Sequence, residues 1–398
     1  MILSLLAWSL SADPAAFPAF DVKEIAKDLK IGYAVHLVDI DGDKKLDIVV
    51  VDKERVVWYQ NPTWKMRTIT AGKTKPDNVC LTSAHIDNDG EIDLVLGAGW
   101  RPADTNTPGT LHWLKRGKSL DDEWTLHEIP CEEPTVHRIK RVTMDGKPTI
   151  VLAPLQGQGS SAKGNWQDGR PVRIVAYPIP ADPTKKENWK PKVLFESLHV
   201  VHNFCAAGHD GELAFASYRG VSLWDNELRK DEIKKKTLIH LPKSGNHDAP
   251  NGSRGSSEIA MTDWSKKRPL IATIEPWHGN QVVLYRGRSG ERIVLDDHLR
   301  WGHAIAFADL DGDGIDELIA GVRDNPDPKK DTFNEKRGVR IYKNINGAGS
   351  KWERMMLDEN GVAVEDMAVG DLNGDGRPDI VAVGRATGNC RIYFNLKN

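Results

Sequence analysis

One short acidic turn is written four times in this chain. "DIDGDKKLDIVVV" (39–51) recurs as "HIDNDGEIDLVLG" (85–97), "DLDGDGIDELIAG" (309–321) and "DLNGDGRPDIVAV" (371–383). A short apolar stretch such as "YAVHLV" (33–38) or "AIAFA" (304–308) precedes the turn, and a β-branched run follows it. Apolar run, tight Gly/Asp turn, apolar run is the signature of a hairpin. Repetition at a fixed period restricts the fold to stacked or radial units, each burying its apolar face against the next.

A third strand in each unit ends on an aromatic: "VVWY" (56–59), "LHWL" (111–114), "VSLW" (221–224), "VVLY" (282–285), "VRIY" (339–342) and "CRIY" (390–393). A fourth begins with tryptophan and ends aliphatic, as in "WKMRTI" (64–69), "WTLHEI" (124–129), "WKPKVLF" (189–195) and "WERMML" (352–357). Four antiparallel strands per unit describe a propeller blade, whereas solenoid repeats are shorter. With this template, blades whose acidic turn has decayed emerge at 135–196, 199–241 and 257–297, giving seven in all. The last unit stops after its third strand, "CRIYFN", and "FDVKEI" (20–25) fits the missing fourth. The expected fold is therefore all-β: a seven-bladed β-propeller of four-stranded antiparallel blades, its ring closed by an N-terminal strand that removes the open edges. The expected organisation is a probable-signal segment at 1–12 and one propeller domain at 13–398, with minimal helix.

Charge and hydropathy narrow the partners. The 398 residues carry a net charge of −3, and the densest basic run, "DEIKKKT" (231–237), reads as a solvated loop, so no nucleic-acid groove is expected. The apolar run Ile2–Leu10, with small residues near Ser11–Ala12, reads as a secretory signal that lacks a basic start, so the expected location is periplasmic or extracellular. No run approaches the ~20 apolar residues of a membrane span. Cys80, Cys131, Cys205 and Cys390 have no zinc or CxxC spacing; they permit disulfides without implying them.

The acidic repeats resemble the FG-GAP/VCBS family of propeller repeats, also seen in integrin α-chain heads. Carboxylates at alternating positions around a glycine form an oxygen cage for a hard cation. The calcium candidates are Asp39, Asp41, Asp43 and Asp47; Asp309, Asp311, Asp313 and Glu317; and Asp371, Asn373, Asp375 and Asp379. In the second copy Asp87, Asp89 and Asp93 remain, but His85 replaces the first acid. These turns join strands within blades, so bound Ca²⁺ would act there as a structural staple; metal-free Asx turns are the competing reading.

Strand order puts the second-to-third loops and the blade-to-blade links on the opposite face from the acidic turns. The long insertions 99–110, 156–171 and 323–338 all fall there, on the expected binding face. Counting back six residues from the first turn residue marks the start of each innermost strand. That position is His137 in blade 3 and His303 in blade 6, and His202 with the shortened turn of blade 4; elsewhere it is Tyr33, Val79, Ser257 and Glu365. His278, in the "EPWHG" loop of blade 5, falls on the same face, so the four histidines are expected to form an arc around one channel mouth. Imidazoles suit Zn²⁺ or another divalent transition metal. Satisfied structural histidines are the alternative. His36 lies mid-strand and reads as structural. Arg219, Arg254, Arg323, Arg385, Arg101, Trp100, Trp277 and His247 are expected to converge on the same mouth as sugar-binding residues, with Tyr218 or a histidine as base.

The acidic blades, the histidine-bearing inner strands and "IEPWHGNQVVLY" together resemble the propeller domain of the aldos-2-ulose dehydratase (1,5-anhydro-D-fructose dehydratase) group. That resemblance implies a carbon–oxygen lyase acting on a keto-sugar and points to His278. A polysaccharide lyase on uronate-containing glycans and a non-catalytic carbohydrate- or protein-binding propeller are the competing functions, because fold alone does not choose among them.

Overall fold

The computed structural model describes residues 17–207, 211–225, 237–246, 254–262, 269–287, 290–323 and 337–396. The N-terminal segment expected to be a signal, 1–12, lies outside these residues.

Seven four-stranded antiparallel sheets follow one another along the chain. Their innermost strands are Gly32–Val38, Asn78–Ala84, Val136–Met144, Val201–Ala206, Ile259–Met261, Gly302–Ala308 and Val364–Gly370 for blades 1 to 7. Each inner strand touches that of the next blade, and blade 7 returns to blade 1, so the ring is closed. The closing strand is Ala19–Ala26. It pairs with Cys390–Leu396 of blade 7, Phe20 opposite Asn395 and Val22 opposite Tyr393. The expected fold and closure are both observed.

The alternation read in the third strands explains the core. Trp58, Tyr59, Trp113, Tyr177, Trp224, Tyr285, Tyr342 and Tyr393 are fully buried between blades, at least one from each. Burying such a ring stabilises the fold by about 1.5–3 kcal/mol. The tyrosine hydroxyls also serve as latches. Asp296, at the end of the outer strand of blade 5, accepts hydrogen bonds from Tyr342 (2.7 Å) and Arg354 (2.8 Å) of blade 6. Asp358 of blade 6 likewise accepts from Tyr393 (2.6 Å) and Arg391 (3.0 Å) of blade 7. The four cysteines are free thiols. No helix among the described residues is long and apolar enough to cross a membrane.

A second regularity places the site. In blades 1, 2, 3, 4, 6 and 7 the inner strand carries a register shift at one residue: Tyr33, Val79, His137, His202, His303 and Glu365. A bulge inserts one unpaired residue and re-aims its side chain. Strict alternation would send consecutive side chains to opposite faces of a strand. Here His137 and Arg138 both reach the channel, as do His202 with Asn203 and Glu365 with Asp366. The first of each pair faces the mouth and the second lies deeper.

Candidate active site

The mouth of the channel is a cavity of about 280 Å³ whose wall includes His137, His202, His278, His303, Trp100, Trp277, Trp301, Arg323 and Arg385. The bulges deliver His137, His202 and His303. The "EPWHG" loop of blade 5 delivers His278 from the side, with its backbone in the left-handed region at φ 51°.

Three of the four histidines meet. One ring nitrogen each from His202, His278 and His303 lies within 4.8 Å of the others, and His278 Nε2 is 2.6 Å from His202 Nε2. The hydrogen bond at the other ring nitrogen fixes the inward lone pair of His303. A carbonyl only accepts, so His303 must carry its proton on Nδ1, which lies 2.5 Å from the Glu365 carbonyl oxygen. Its Nε2 is then a lone pair. His202 Nδ1 stands 2.9 Å from the Glu258 carboxylate, which leaves Nε2 toward His278.

His137 departs from the expected arc. Its Nδ1 bonds the His202 carbonyl at 2.9 Å, and its Nε2 accepts from Arg138 Nη1 at 3.2 Å. Both nitrogens are engaged, so His137 packs against His202 (ring centroids 4.7 Å apart) without joining the trio.

Burial is the main force on these rings. It holds all four histidines well below the usual imidazole range, and the positive charges of Arg138 or Arg323 push each the same way. The imidazoles are therefore neutral at neutral pH. Three converging neutral imidazoles, two of them with ring nitrogens 2.6 Å apart, fit a divalent transition metal.

Around the trio the wall is aromatic, with Arg138, Arg323 and Arg385 set against the single carboxylate of Glu365. Trp277 stacks on His278 (4.7 Å between centroids), Trp301 stacks on its far side (5.9 Å), and Trp100 packs on His137 (5.0 Å). Trp301 is 40% exposed at the rim. Arg323 lies over Trp301 at 5.3 Å and Arg385 over Tyr33 at 5.4 Å. Both guanidiniums bond the same carboxylate, Glu365, at 2.9 and 2.7 Å.

Other sequence-derived residues stand elsewhere. Tyr218 and Arg219 occupy the tight turn between Leu213–Ser217 and Gly220–Asp225 and are not among the residues that line the cavity. Arg254 precedes Gly255, which is packed on the backbone of that turn, and does not line the cavity. Arg101 faces solvent and pairs with Asp104 at 3.3 Å. His247 lies outside the described residues. The sequence reading missed Arg138, which the bulge at His137 turns inward beside its neighbour, and Glu258, which directly follows Ser257. It noted Glu365 for its position but gave it no role.

The acidic turns occupy the opposite face. Asp39, Asp41 and Asp43 cluster in blade 1, and Asp309, Asp311 and Glu317 in blade 6. Asp47 is buried behind its cluster, and burial pushes its carboxyl up to about 7, with Asp41 and Asp43 adding to the rise. Glu317 Oε2 accepts from Leu310 N (2.9 Å), while its buried Oε1 has no partner. Asp313 and Asp375 cap their turns through backbone N–H groups, as do Asp371 and Asn373. Asp379 accepts from Leu372 N at 2.9 Å. In blade 2, Lys115 places its ammonium on Asp87 and Asp89, and Asp93 accepts from Arg116 N at 3.1 Å. A lysine there takes the place a cation would hold.

Comparisons with known proteins divide along the same lines. A family profile described as aldos-2-ulose dehydratase, beta-propeller domain, matches residues 108–288. That span holds His137, His202 and His278 and the blades whose acidic turns have decayed. An FG-GAP-like repeat profile matches residues 39–96. The aldos-2-ulose dehydratase of Phanerodontia chrysosporium is 26% identical over 276 residues, covering 62% of this chain and 29% of the relative. Integrin alpha-6 of Gallus gallus is 32% identical over 140 residues, covering 30% of this chain and 12% of the integrin. The chain thus spans under a third of either relative. Among solved structures, BBS1N in complex with ARL6DN aligns with a TM-score of 0.56 at 14% identity, over 96% of this chain and 99% of that one. The mitotic checkpoint complex gives 0.57 at 12% identity, over 100% and 99%. These two share the fold.

Proposed function

We propose that this propeller, which resembles the propeller of aldos-2-ulose dehydratase, is a carbohydrate-active lyase that dehydrates a keto-sugar by β-elimination at the channel mouth. The observation that carries this reading is the meeting of His202, His278 and His303 in a tryptophan-walled cavity. These three would hold Zn²⁺ or a similar divalent ion, which supplies a Lewis acid for a keto oxygen and so acidifies the neighbouring C–H. His137 and Arg138 buttress the trio. Trp301 offers its exposed ring surface to a sugar, with Trp277 on His278 beside it. Glu365 is the sole carboxylate on the wall among the described residues; it takes the α-proton and passes it to the departing β-hydroxyl, which leaves as water as the carbon–carbon double bond forms. Arg323 and Arg385 hold Glu365 in place and donate to substrate hydroxyls.

Arg323 and Arg385 share the single carboxylate of Glu365, so one positive charge remains at the mouth. A uronate would meet that charge, and the keto-sugar reading rests on the similarity to aldos-2-ulose dehydratase. Structural Ca²⁺ at the acidic turns and an exported location complete the proposal. The integrin similarity and the 1–12 segment support the location.

The test is a panel of keto-sugars and uronate oligosaccharides presented to zinc-loaded protein, followed by the ultraviolet absorbance of a new conjugated double bond. A keto-sugar should give that absorbance, His278→Ala should abolish it, and Glu365→Gln should slow it by ~10²-fold or more while zinc remains bound. Absorbance with uronates alone would assign a polysaccharide lyase. Sugar binding without any elimination would assign a binding module.

A further inference from the structure

Glu258 directly precedes the inner strand of blade 5, next to Ser257, and is buried at 3% exposure. Burial of a carboxylate is costly unless partners surround it. Its Oε2 accepts from Asn203 Nδ2 at 2.5 Å, and Arg138 approaches Oε1 at 3.6 Å. Oε1 also lies 2.9 Å from His202 Nδ1. That contact is short but off the line of a hydrogen bond, so neither atom has an aligned partner.

The opposite edge of the same ring is also misfitted. His202 Nε2 stands 2.6 Å from His278 Nε2. Two nitrogens bound to one tetrahedral ion through bonds of ~2.0–2.1 Å would stand about 3.4 Å apart. A small rotation of one imidazole can relieve both misfits, parting the Nε2 atoms and seating Nδ1–H on Oε1. Arg138 and Asn203 hold the carboxylate still while the ring turns.

We propose that Glu258 is a positioning residue for the histidine centre: it keeps the His202 proton on Nδ1, so that Nε2 is presented as a lone pair beside His278 and His303. This rests on the reading that the trio holds a metal. A carboxylate behind a ligating imidazole fixes its tautomer, orients the ring and raises its basicity; losing such a partner typically weakens metal binding 10–100-fold. Glu258 also brings a negative charge to an ion otherwise held by three neutral ligands. The backbone of Ser257 also stands close enough to His202 to favour a protonated ring nitrogen, and it is the rival for this role.

The experiment uses the full chain in three forms: unaltered, Glu258→Leu and Glu258→Gln. Zinc and cobalt(II) titrations give affinity, and ¹⁵N-histidine NMR of the metal-free forms gives the His202 tautomer. Unaltered protein should bind zinc and show His202 protonated on Nδ1. Glu258→Leu should weaken zinc 10–100-fold and mix the tautomers, and Glu258→Gln, which keeps an acceptor oxygen, should lose less. If the leucine variant does not fold, the glutamine variant and the unaltered tautomer still decide. Equal affinity and unchanged tautomer in the folded variants would overturn the role of Glu258 and leave that of Ser257. Failure of the unaltered protein to bind zinc or cobalt would overturn the metal centre itself, and this proposal with it.

Discussion

In the loop from Glu275 to Gly279, neighbouring residues do unrelated work. Glu275 is fully buried, and its Oε1 accepts from Ser256 (2.9 Å), Thr273 (3.0 Å), Gly245 N (3.2 Å) and the Tyr285 hydroxyl, while Oε2 takes Arg292 at 2.9 Å. This acid anchors the loop and does no chemistry. Trp277 and His278 face the cavity. Gly279 is dictated by space, because a Cβ there would stand 2.2 Å from the Glu275 carbonyl oxygen. Gly279→Ala must push the loop outward and His278 with it. It should cost about 2 kcal/mol of stability and weaken zinc binding by more than tenfold. Chemical denaturation and metal titration measure the two effects; unchanged zinc affinity would mean the loop does not position His278. The composition "EPWHG" announced an unusual loop, but only contacts separate the anchor, Glu275, from the working residue, His278.

At the level of the hairpin, four similar turns are not equivalent. Blades 1 and 6 keep three clustered carboxylates, even with Lys343 on Asp311 at 2.5 Å in blade 6, whereas in blade 2 Lys115 neutralises both Asp87 and Asp89. Calcium should therefore raise the melting temperature through blades 1 and 6. Saturation to 100 times Kd is worth about 2.7 kcal/mol per site. Asp39→Ala and Asp309→Ala should each remove part of that rise, while Asp87→Ala should leave it unchanged. Calorimetry with calcium and with chelator decides, and an equal loss in Asp87→Ala would refute the assignment. The acidic pattern was legible in the sequence, but the lysine was not, since it comes from a strand 28 residues away. The inner strands repeat the lesson: counting from the turns located every mouth position, yet the bulge that also turns Arg138 inward leaves no local mark.

For the whole ring, the joint between the chain's two ends is the element to test. Glu24 on the closing strand bonds Asn389 (2.8 Å) and Arg391 (2.9 Å) of blade 7. Partial burial works against its charge, but the bonds from Asn389, Lys27 and Arg391 prevail and hold its carboxyl down to about 2. A carboxylate depressed on folding contributes stability that is present above its ordinary value near 4.5 and is lost as pH falls through 2. Glu24→Gln should thus lower the melting temperature by roughly 1–3 °C at pH 7. The difference from the unaltered protein should shrink steadily between pH 4.5 and pH 2. A difference independent of pH would mean that shape, not charge, makes the joint. The latches at Asp296 and Asp358 join other neighbouring blades by the same chemistry.

By itself the sequence determined the blade, the number of blades and the closing strand. Each of these follows from a period of apolar, turn and aromatic residues that acts locally and repeats. It also placed four histidines on one face, because strand order alone decides which loops share a side. Only the tertiary structure decided that three of them meet and that His137 is held apart by Arg138. It likewise decided that Glu365 lies on the cavity wall, that Glu258 stands behind His202, and that Tyr218, Arg219, Arg254 and Arg101 do not line the cavity. Those outcomes depend on bulges and on contacts between blades far apart in the chain, where a displacement of an ångström separates a ligand from a neighbour.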